Sequence, residues 1–366
     1  MSTRSLMGEK LATVAGAASA AAGLGDGLVS HFPVVTRPNL EWTAEVEAAT
    51  AHLYERVAKV IPPVEWPFHA PYVKAINDLK RERNAVILAH NYQTPKFIIA
   101  SPIMSATAFS SPSSPPPPLR TSSSRAACIM AETSKILSPE KTVLIPDSEA
   151  GCSLAASITA ADVRALRREY PGVPIVAYVN TSAEVKAEVD ICCTSSNALK
   201  IVESLGTDRV IMVPDRYLAQ NVAAQTKVKI IAWRGACEVH ERFTAEELES
   251  YRADHPGVKI IAHPECPREV VEISDFAGST AAMIDYVRTR KPARVLLVTE
   301  CSMADNVAAE TTGTEFIRPC NFCPHMKRIT LPKILDSLIY MREEVQVDPL
   351  LAERARASVQ RMIDVG

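Results

Sequence analysis

The sequence lacks a dominant charge, a long apolar run and a dense set of paired cysteines. Its formal net charge is -2 and 22% of its residues are charged, which argues against a basic nucleic-acid surface and against an acidic tail. No apolar run approaches the about 20 residues that cross a bilayer. Its nine cysteines are odd in number and scattered, unlike those of small secreted domains. A cytoplasmic protein with reduced thiols, and with no nucleic-acid or membrane partner, is therefore expected.

Two segments differ in composition from the rest of the chain. No Asp or Glu occurs from residue 83 to residue 131, and 15 of the 24 residues 101–124 are Ser or Pro. This composition predicts a polyproline-like or disordered loop. Near the amino terminus, an Ala/Gly-rich stretch lacks the compact apolar core of a signal peptide. Residues 1–41 are therefore predicted to be a disordered or over-long extension.

Short runs rich in Val and Ile predict parallel strands that are buried on both faces. These runs cover residues 86–89, 142–145, 174–179, 209–213, 228–233, 258–262 and 294–299. Helices are predicted over residues 42–61 and 71–83. Further helix starts are marked by capping pairs, namely Thr159 with Asp162, Thr181 with Glu184, and Thr244 with Glu247. Strands that alternate with helices predict small three-layer α/β sandwiches.

Three cysteines are evenly spaced, and each follows shortly after an apolar run. Cys152, Cys237 and Cys323 are separated by 85 and 86 residues. This period predicts three copies of one structural unit, each of which sends a thiolate to a shared centre. Three thiolates without an obvious fourth ligand suit an iron-sulfur cluster with one iron open to substrate. Zinc in a three-ligand open site is the alternative.

Polar residues at the ends of the predicted strands support the same period. His90, Tyr178 and His263 close three apolar runs at spacings of 88 and 85 residues. Ligands of parallel α/β sheets bind beyond the carboxyl ends of the strands, where these residues and the cysteines fall. The polar residues at or just after strand ends are His90, Tyr92, Tyr178, Asn180, Ser195, His263, Glu265, Ser279 and Thr280.

Ten short motifs together resemble the quinolinate synthase family. They are AHNYQ, MAET, EAGCSL, YVNTSAEVKA, CCTSSNA, GACEVHERF, HPEC, GSTAAM, TECSM and CNFCPHMKRI. They follow the order of the family and cover nearly all of the chain from about residue 64, except the Ser/Pro stretch. The resemblance implies an enzyme of NAD biosynthesis that condenses iminoaspartate with dihydroxyacetone phosphate. An oxidase or dehydrogenase that supplies iminoaspartate is then an expected partner.

The resemblance also implies the cofactor and the roles of individual residues. A four-iron four-sulfur cluster would be held by Cys152, Cys237 and Cys323, the cysteines that the spacing selects. The nine polar residues at strand ends would line the substrate cavity. Within it, Glu265, Tyr92 and His263 would be catalytic, and Glu265 is the candidate general base, with its pKa expected to be tuned toward neutrality. Six residues would bind substrate, namely His90, Tyr178, Asn180, Ser195, Ser279 and Thr280, and the last two open a helix that could cradle phosphate.

The family implies three α/β/α sandwich domains, related by a pseudo-threefold axis, around a central site. We expect the first over residues 42–157, the second over 158–242 and the third over 243–330. The C-terminal helices, within residues 331–366, are expected to pack on the first domain.

The Ser/Pro stretch departs from the family, which there carries a GDS motif and a strand ending near GVHF. The number of residues between HNYQ and MAET is close to that of the family. The Ser/Pro stretch therefore replaces the family's sequence rather than being inserted into it. Val-Gly-Asp-Ser-Leu, encoded GTC GGC GAC AGC CTT and read one base later, gives Ser-Ala-Thr-Ala-Phe, which stands at residues 105–109. Gly-Val-His, shifted alike, gives Ala-Cys-Ile, which stands at residues 127–129. Two compensating frame errors around residues 97–129 are the resulting hypothesis.

Two other functions remain open at this point. A zinc or iron-sulfur hydro-lyase that acts on an unrelated substrate would share the cysteines. A non-catalytic remnant of a quinolinate synthase would follow if residues 97–129 are real, because the first domain would then be expected to lack a strand, a helix and a substrate-binding serine.

Overall fold

A computed structural model of the chain describes residues 36–95, 104–105, 120–122 and 126–366. Their backbone forms three four-stranded sheets in which every strand pair is parallel. The strands are β1 Val86–Ala89, β2 Met104–Ser105, β3 Arg120–Ser122, β4 Val143–Leu144, β5 Ile175–Tyr178, β6 Ile191–Cys193, β7 Arg209–Val213, β8 Lys229–Ala232, β9 Lys259–Ala262, β10 Phe276–Ala277, β11 Arg294–Val298 and β12 Glu315–Ile317. The predicted α/β class with short parallel sheets is confirmed.

Helices lie between the strands and at both ends of the described chain. They are α1 Ala44–Val57, α2 Trp66–Glu82, α3 Ala126–Leu137, α4 Ser153–Ala156, α5 Ala160–Glu169, α6 Ala183–Lys186, α7 Ala198–Ser204, α8 Arg216–Ala223, α9 Ala245–Asp254, α10 Arg268–Ile273, α11 Thr280–Arg290, α12 Cys301–Glu310, α13 Pro324–Lys327, α14 Leu331–Tyr340 and α15 Pro349–Val365. None of these helices has the length and apolar character needed to cross a bilayer.

The three sheets share one strand order. They run β2-β1-β3-β4, β6-β5-β7-β8 and β10-β9-β11-β12, so the first strand of each unit always pairs with the second and the third. The same connectivity therefore occurs three times, as the repeat of about 85 residues predicts. The sheets lie within residues 42–157, 158–242 and 243–330, which we call the first, second and third lobes. All three belong to one compact unit.

The Ser/Pro-rich segment contributes two strands to the first sheet. The expectation of an irregular segment, and of a first lobe that lacks a strand, is therefore wrong at residues 104–105, 120–122 and 126–129, which form β2, β3 and the start of α3. The rest of residues 97–129 lies outside the described residues. The short strand β3 pairs with β1 at Ile87↔Thr121 and with β4 at Thr121↔Leu144. Ladder hydrogen bonds use backbone groups, which Arg120–Ser122 can supply because no proline interrupts them. The four consecutive prolines, and the residues that match the shifted codons other than Ser105 and 127–129, lie outside the described residues.

Two helix starts differ from the predictions. Helix α2 begins at Trp66 rather than Pro71, because buried Trp66, Ala70 and Val73 extend its apolar face by more than a turn. Helix α6 is capped by Ser182 rather than Thr181, whose hydroxyl donates a hydrogen bond to the carbonyl of Tyr178. The reciprocal capping box predicted at Thr159 is present.

The two C-terminal helices pack in different places, and the second of them extends beyond the first lobe. Helix α14 packs on α2, and its buried Leu335 and Leu338 join the apolar cluster of the first lobe. Helix α15 packs on α6 and β6, where it places Val359 and Met362 in the core of the second lobe, and it also packs on α3 of the first lobe. Its amphipathic face fits the side of the sheet that β6 leaves uncovered.

Candidate active site

One cavity at the meeting of the three lobes is lined by Cys152, Cys237 and Cys323. It contains about 660 Å³ of space free of protein atoms, including its opening to solvent. All three cysteines are free and partly buried. Their thiols lie close enough to interact electrostatically, because Cys323 raises the pKa of Cys152 and Cys152 raises that of Cys237. The convergence predicted from the spacing of the cysteines is therefore present.

Each of these cysteines stands just before a helical turn. Cys152 precedes α4, Cys323 precedes α13, and Cys237 lies three residues before the 3₁₀ turn His240–Arg242. The backbone N-H groups two and three residues later approach each sulfur and lower its pKa. The same local backbone therefore presents all three sulfur atoms, one from each lobe.

Burial nevertheless keeps the thiols protonated at neutral pH. It raises the pKa of Cys152 to about 12 and raises those of Cys237 and Cys323 above their ordinary value. Binding of a metal centre would therefore displace protons, because the thiolate is the ligand. Three convergent sulfur donors that face backbone N-H groups fit an iron-sulfur centre.

Equivalent strands of the three lobes supply the polar wall of the cavity. His90 and His263 directly follow β1 and β9, and Tyr178 is the last residue of β5. Each of them lines the cavity together with the residue two positions later. The residue between the two members of each pair is not among those that line the cavity. The three pairs are His90 with Tyr92, Tyr178 with Asn180, and His263 with Glu265.

The two strand-end histidines are neutral and similarly oriented. Nδ1 of His90 accepts the N-H of Tyr92 at 3.2 Å, and Nδ1 of His263 accepts the N-H of Glu265 at 3.4 Å. Burial lowers the pKa of His90 to about 4 and that of His263 to about 3. Since Nδ1 accepts in both rings, the proton of each neutral imidazole is on Nε2.

Glu265 is the centre of a buried hydrogen-bond network that includes a residue the sequence predictions omitted, His240. Nδ1 of fully buried His240 lies 3.0 Å from a carboxylate oxygen of Glu265, and the ring of His240 stacks on that of His263 at 4.7 Å. Burial alone would raise the pKa of Glu265, but His263, His240 and the hydroxyl of Tyr178 outweigh it and lower this pKa. The expected tuning toward neutrality is therefore wrong for this structure, in which Glu265 is a carboxylate.

Tyr92 is tied to the same network through Thr299. The hydroxyl of Thr299 donates to the Tyr92 oxygen at 2.8 Å and lies 3.0 Å from Nε2 of His240. The Tyr92 hydroxyl lies 3.3 Å from that Nε2. Because ionised Glu265 can only accept, Nδ1 of His240 carries the proton and Nε2 accepts. Burial, followed by the charge of Glu265, raises the pKa of Tyr92, so its phenol remains a donor.

The other predicted binding residues fall into two groups. Tyr178 donates to Glu265 and also pairs with Ser195, and both line the cavity with Thr280. Ser279 caps α11, where its hydroxyl accepts the N-H of Ala282 at 3.4 Å, and it is not among the residues that line the cavity. Of the two residues that open α11, only Thr280 therefore faces the site.

A second group of metal-ligating atoms lies beside the three thiols. The ligand atoms of Cys237, His240 and Glu265 all lie within 4.8 Å of one another. Both ring nitrogens of His240 already have partners in Glu265, Thr299 and Tyr92, so its coordination of a metal would break this network. The three cysteines are therefore the better donor set.

An ion pair of buried Glu300 with partly exposed Lys327, which the sequence predictions also omitted, links the third lobe to the first. Glu300 is fully buried and lies 2.7 Å from Nζ of Lys327, which donates to the carbonyl of Tyr92 at 3.2 Å. Glu300 also accepts the N-H of Cys323 at 3.4 Å. One carboxylate thus fixes the backbone of a thiol residue and, through Lys327, that of a residue of the polar wall.

Fold and site together define a three-lobed α/β protein with three thiols and a buried polar wall at the meeting of the sheets. The family model described as NadA, quinolinate synthetase A protein, matches residues 74–364. The chain belongs to this quinolinate synthase family.

Quinolinate synthases from several bacteria are similar in sequence to this protein over most of the chain. A quinolinate synthase of Sinorhizobium fredii (strain NBRC 101917 / NGR234) is 58% identical over 337 residues, which are 92% of this chain and 94% of that protein. One of Sinorhizobium medicae (strain WSM419) is 57% identical with the same coverage. One of Caulobacter vibrioides (strain NA1000 / CB15N) is 55% identical over 335 residues, which are 88% of this chain and 90% of that protein.

Proposed function

We propose that this protein is a quinolinate synthase that condenses iminoaspartate with dihydroxyacetone phosphate to quinolinate, with loss of phosphate and water. The observation that carries the proposal is the meeting of three thiols, one from each lobe, in one cavity beside buried Glu265. Membership of the quinolinate synthase family supports the reaction.

Cys152, Cys237 and Cys323 would hold a four-iron four-sulfur cluster with one iron that lacks a protein ligand. Such a cluster supplies a Lewis acid toward oxygen substituents of the reactants. The donor set supports this choice, because all three ligands are sulfur and no fourth cysteine lines the cavity among the described residues.

The chain's own residues would move the protons. Glu265 is the charged acceptor of the wall, and it orients His240 so that Nε2 faces Tyr92 and Thr299. Tyr92 remains a neutral donor, and His263 presents a protonated Nε2 while its Nδ1 is held by the backbone. Tyr92, His263 and Glu265 would act on the reactant directly. His240 would hold the side chains of Glu265 and Tyr92 in position relative to each other.

The remaining wall would bind the anionic groups of the reactants. His90, Tyr178, Asn180 and Ser195 would hold carboxylates through donor groups. The phosphate would lie at the start of α11, where Thr280 faces the cavity and Ser279 caps the helix.

The proposal is tested by an iron and sulfide count on anaerobically prepared protein, followed by a quinolinate assay with iminoaspartate generated in the same mixture. We expect four iron and four sulfide per chain for a complete cluster and quinolinate formation. Cys237→Ser should lose the bound iron. Cys320→Ser is the matched control, because Cys320 is exposed and does not line the cavity, and it should keep the iron. Iron retention by Cys237→Ser would contradict the proposal.

A metal-dependent hydro-lyase is the second candidate, favoured by the proximity of Cys237, His240 and Glu265. A colourless, zinc-containing protein that forms no quinolinate would support it. An iron-loaded protein that forms no quinolinate would instead support the inactive remnant.

A further inference from the structure

The residues next to the three cysteines contact one another across the boundaries between lobes. Ser153 follows Cys152, Glu238 follows Cys237, and His325 lies two positions after Cys323. All three are partly exposed, and all line the cavity.

The first contact joins the first lobe to the second. The hydroxyl of Ser153 donates to the carbonyl of Ala236 at 3.2 Å and accepts the N-H of Glu238 at 3.1 Å. These partners are the residues on either side of Cys237. One side chain of the first lobe therefore fixes the backbone on both sides of the thiol residue of the second.

The second contact joins the second lobe to the third. A carboxylate oxygen of Glu238 lies 3.0 Å from Nε2 of His325, and the side chains are 28% and 31% exposed. The segments that carry Cys237 and Cys323 are therefore in side-chain contact.

The third contact returns to the first lobe. A Cβ placed on Gly151 would lie 3.1 Å from Nδ1 and 3.3 Å from Cε1 of His325, so the imidazole packs directly on this glycine. Gly151 immediately precedes Cys152. The contacts thus form a closed ring from the first lobe through the second and third and back.

The two sides of the three thiols differ in exposure. On one side lie His240 and Glu265, which are 0% and 3% exposed, and Sγ of Cys237 is within 4.8 Å of their ligand atoms. The side chains of Glu238 and His325 are 28% and 31% exposed, whereas that of Glu265 is 4% exposed. Glu238 and His325 therefore belong to the more exposed part of the cavity lining.

We propose that Ser153, Glu238, His325 and Gly151 form an inter-lobe collar that closes the outer face of the three-cysteine site and slows exchange of its metal centre with solvent. The proposal rests on the proposed function, since it requires that the cysteines hold such a centre. These are positioning residues: they fix the backbone of the ligands and obstruct access.

The test measures the rate of iron transfer from the anaerobically loaded full-length protein to a colorimetric ferrous chelator. Ser153→Ala and Glu238→Gln should release iron at least fivefold faster than the unaltered protein. In Gly151→Ala the imidazole must shift by a few tenths of an ångström, so release should accelerate in the same direction. Glu241→Gln, three positions after Glu238, removes a surface ion pair with Arg216 and should release iron within twofold of the unaltered rate.

The outcomes separate the collar from the proposed function. If the unaltered protein binds no iron, the proposed function fails before any rate is measured. If the variants load fully and release iron at the unaltered rate, the cysteine site stands and the collar is overturned. A variant that keeps the unaltered melting temperature before loading but cannot retain iron supports the collar. Should Ser153→Ala not fold, Glu238→Gln decides alone, because it alters a half-buried surface pair.

Discussion

Nδ1 of His240 lies 3.0 Å from a carboxylate oxygen of Glu265, and the two residues come from different lobes. Tyr92 of a further lobe joins them through Thr299. Buried polar groups are stable only when their partners are present. This part of the site is therefore complete only where all three lobes meet, which couples assembly of the fold to assembly of the hydrogen-bonded wall of the cavity.

Replacement of Glu265 tests the role of its charge. Glu265→Gln keeps the size of the side chain but removes the carboxylate with which His240 and Tyr178 form hydrogen bonds. We expect quinolinate formation to fall by about 10² to 10⁴-fold, the range for loss of a general acid or base, with iron content unchanged. Glu241→Gln serves as the control on an exposed carboxylate. Activity of Glu265→Gln above a tenth of the unaltered value would exclude the assigned role.

Replacement of Thr299 tests the link between Tyr92 and His240. Thr299→Val is nearly isosteric and removes the buried hydrogen bond that Thr299 donates to the Tyr92 oxygen, which costs about 0.5 to 1.5 kcal/mol of unfolding free energy. Denaturant unfolding and the quinolinate assay should both show a loss. Thr289→Val, on the exposed face of α11, removes a hydroxyl that bonds only its own helix and should change stability by less than about 0.5 kcal/mol. Equal stability of the two variants would contradict the network.

The sequence allowed the repeat, the three thiols and the three strand-end pairs to be predicted, because each repeats at a fixed spacing. His240 was omitted because it lies in a 3₁₀ turn rather than at a strand end. Its signal was its position three residues after Cys237, where a helical turn directs it toward the same centre. The pairing of Glu300 with Lys327 joins residues 27 positions apart and carries no local pattern.

The pKa of Glu265 shows a second limit of the sequence. An apolar wall beside a carboxyl predicts a raised pKa, but the direction depends on which donors surround it. Only the assembled lobes bring His240, His263 and Tyr178 to this carboxylate. Strands β2 and β3 were not predicted for a different reason. Backbone hydrogen bonds between strands can form in a Ser-rich sequence that has no pattern of apolar residues.

Asp147 gives a pH-dependent prediction for stability. It lies 2.5 Å from Nζ of Lys333 and 3.5 Å from Nε of Arg328. Burial acts to raise its pKa, but these cations outweigh burial and lower it. Because the pKa of Asp147 is lower in the folded protein than in the unfolded chain, its ionised carboxylate stabilises the folded protein at any pH above the unfolded pKa. This stabilisation is lost as the pH falls through the lower pKa of the folded protein.

Asp147→Asn should therefore lower the unfolding free energy by about 1 to 3 kcal/mol at pH 7, with the difference shrinking below about pH 4. Urea unfolding at a series of pH values measures it. Asp285→Asn, whose partner Arg288 is exposed, should change stability by less than about 0.5 kcal/mol. A penalty for Asp147→Asn that persists undiminished at the lowest pH would show that the ion pairs do not cause it.

The packing of α14 on α2 gives a prediction for the first lobe. Leu335 is fully buried there, so Leu335→Ala should cost about 2 to 5 kcal/mol by leaving a cavity. Leu350, at the start of α15, is 74% exposed, and Leu350→Ala should change stability by less than about 0.5 kcal/mol. Thermal or denaturant unfolding distinguishes the two. Comparable losses would contradict the described packing.

The equivalent ends of β1, β5 and β9 bear His with Tyr, Tyr with Asn, and His with Glu. A threefold framework that carried identical side chains would offer a small molecule three interchangeable poses. The three strand ends differ in hydrogen-bond donors and in charge. A molecule rotated by a third of a turn within the cavity would therefore meet a different set of side chains at each strand end. The three sheets share one strand order, so any preference for one orientation of a bound molecule comes from the side chains at these strand ends.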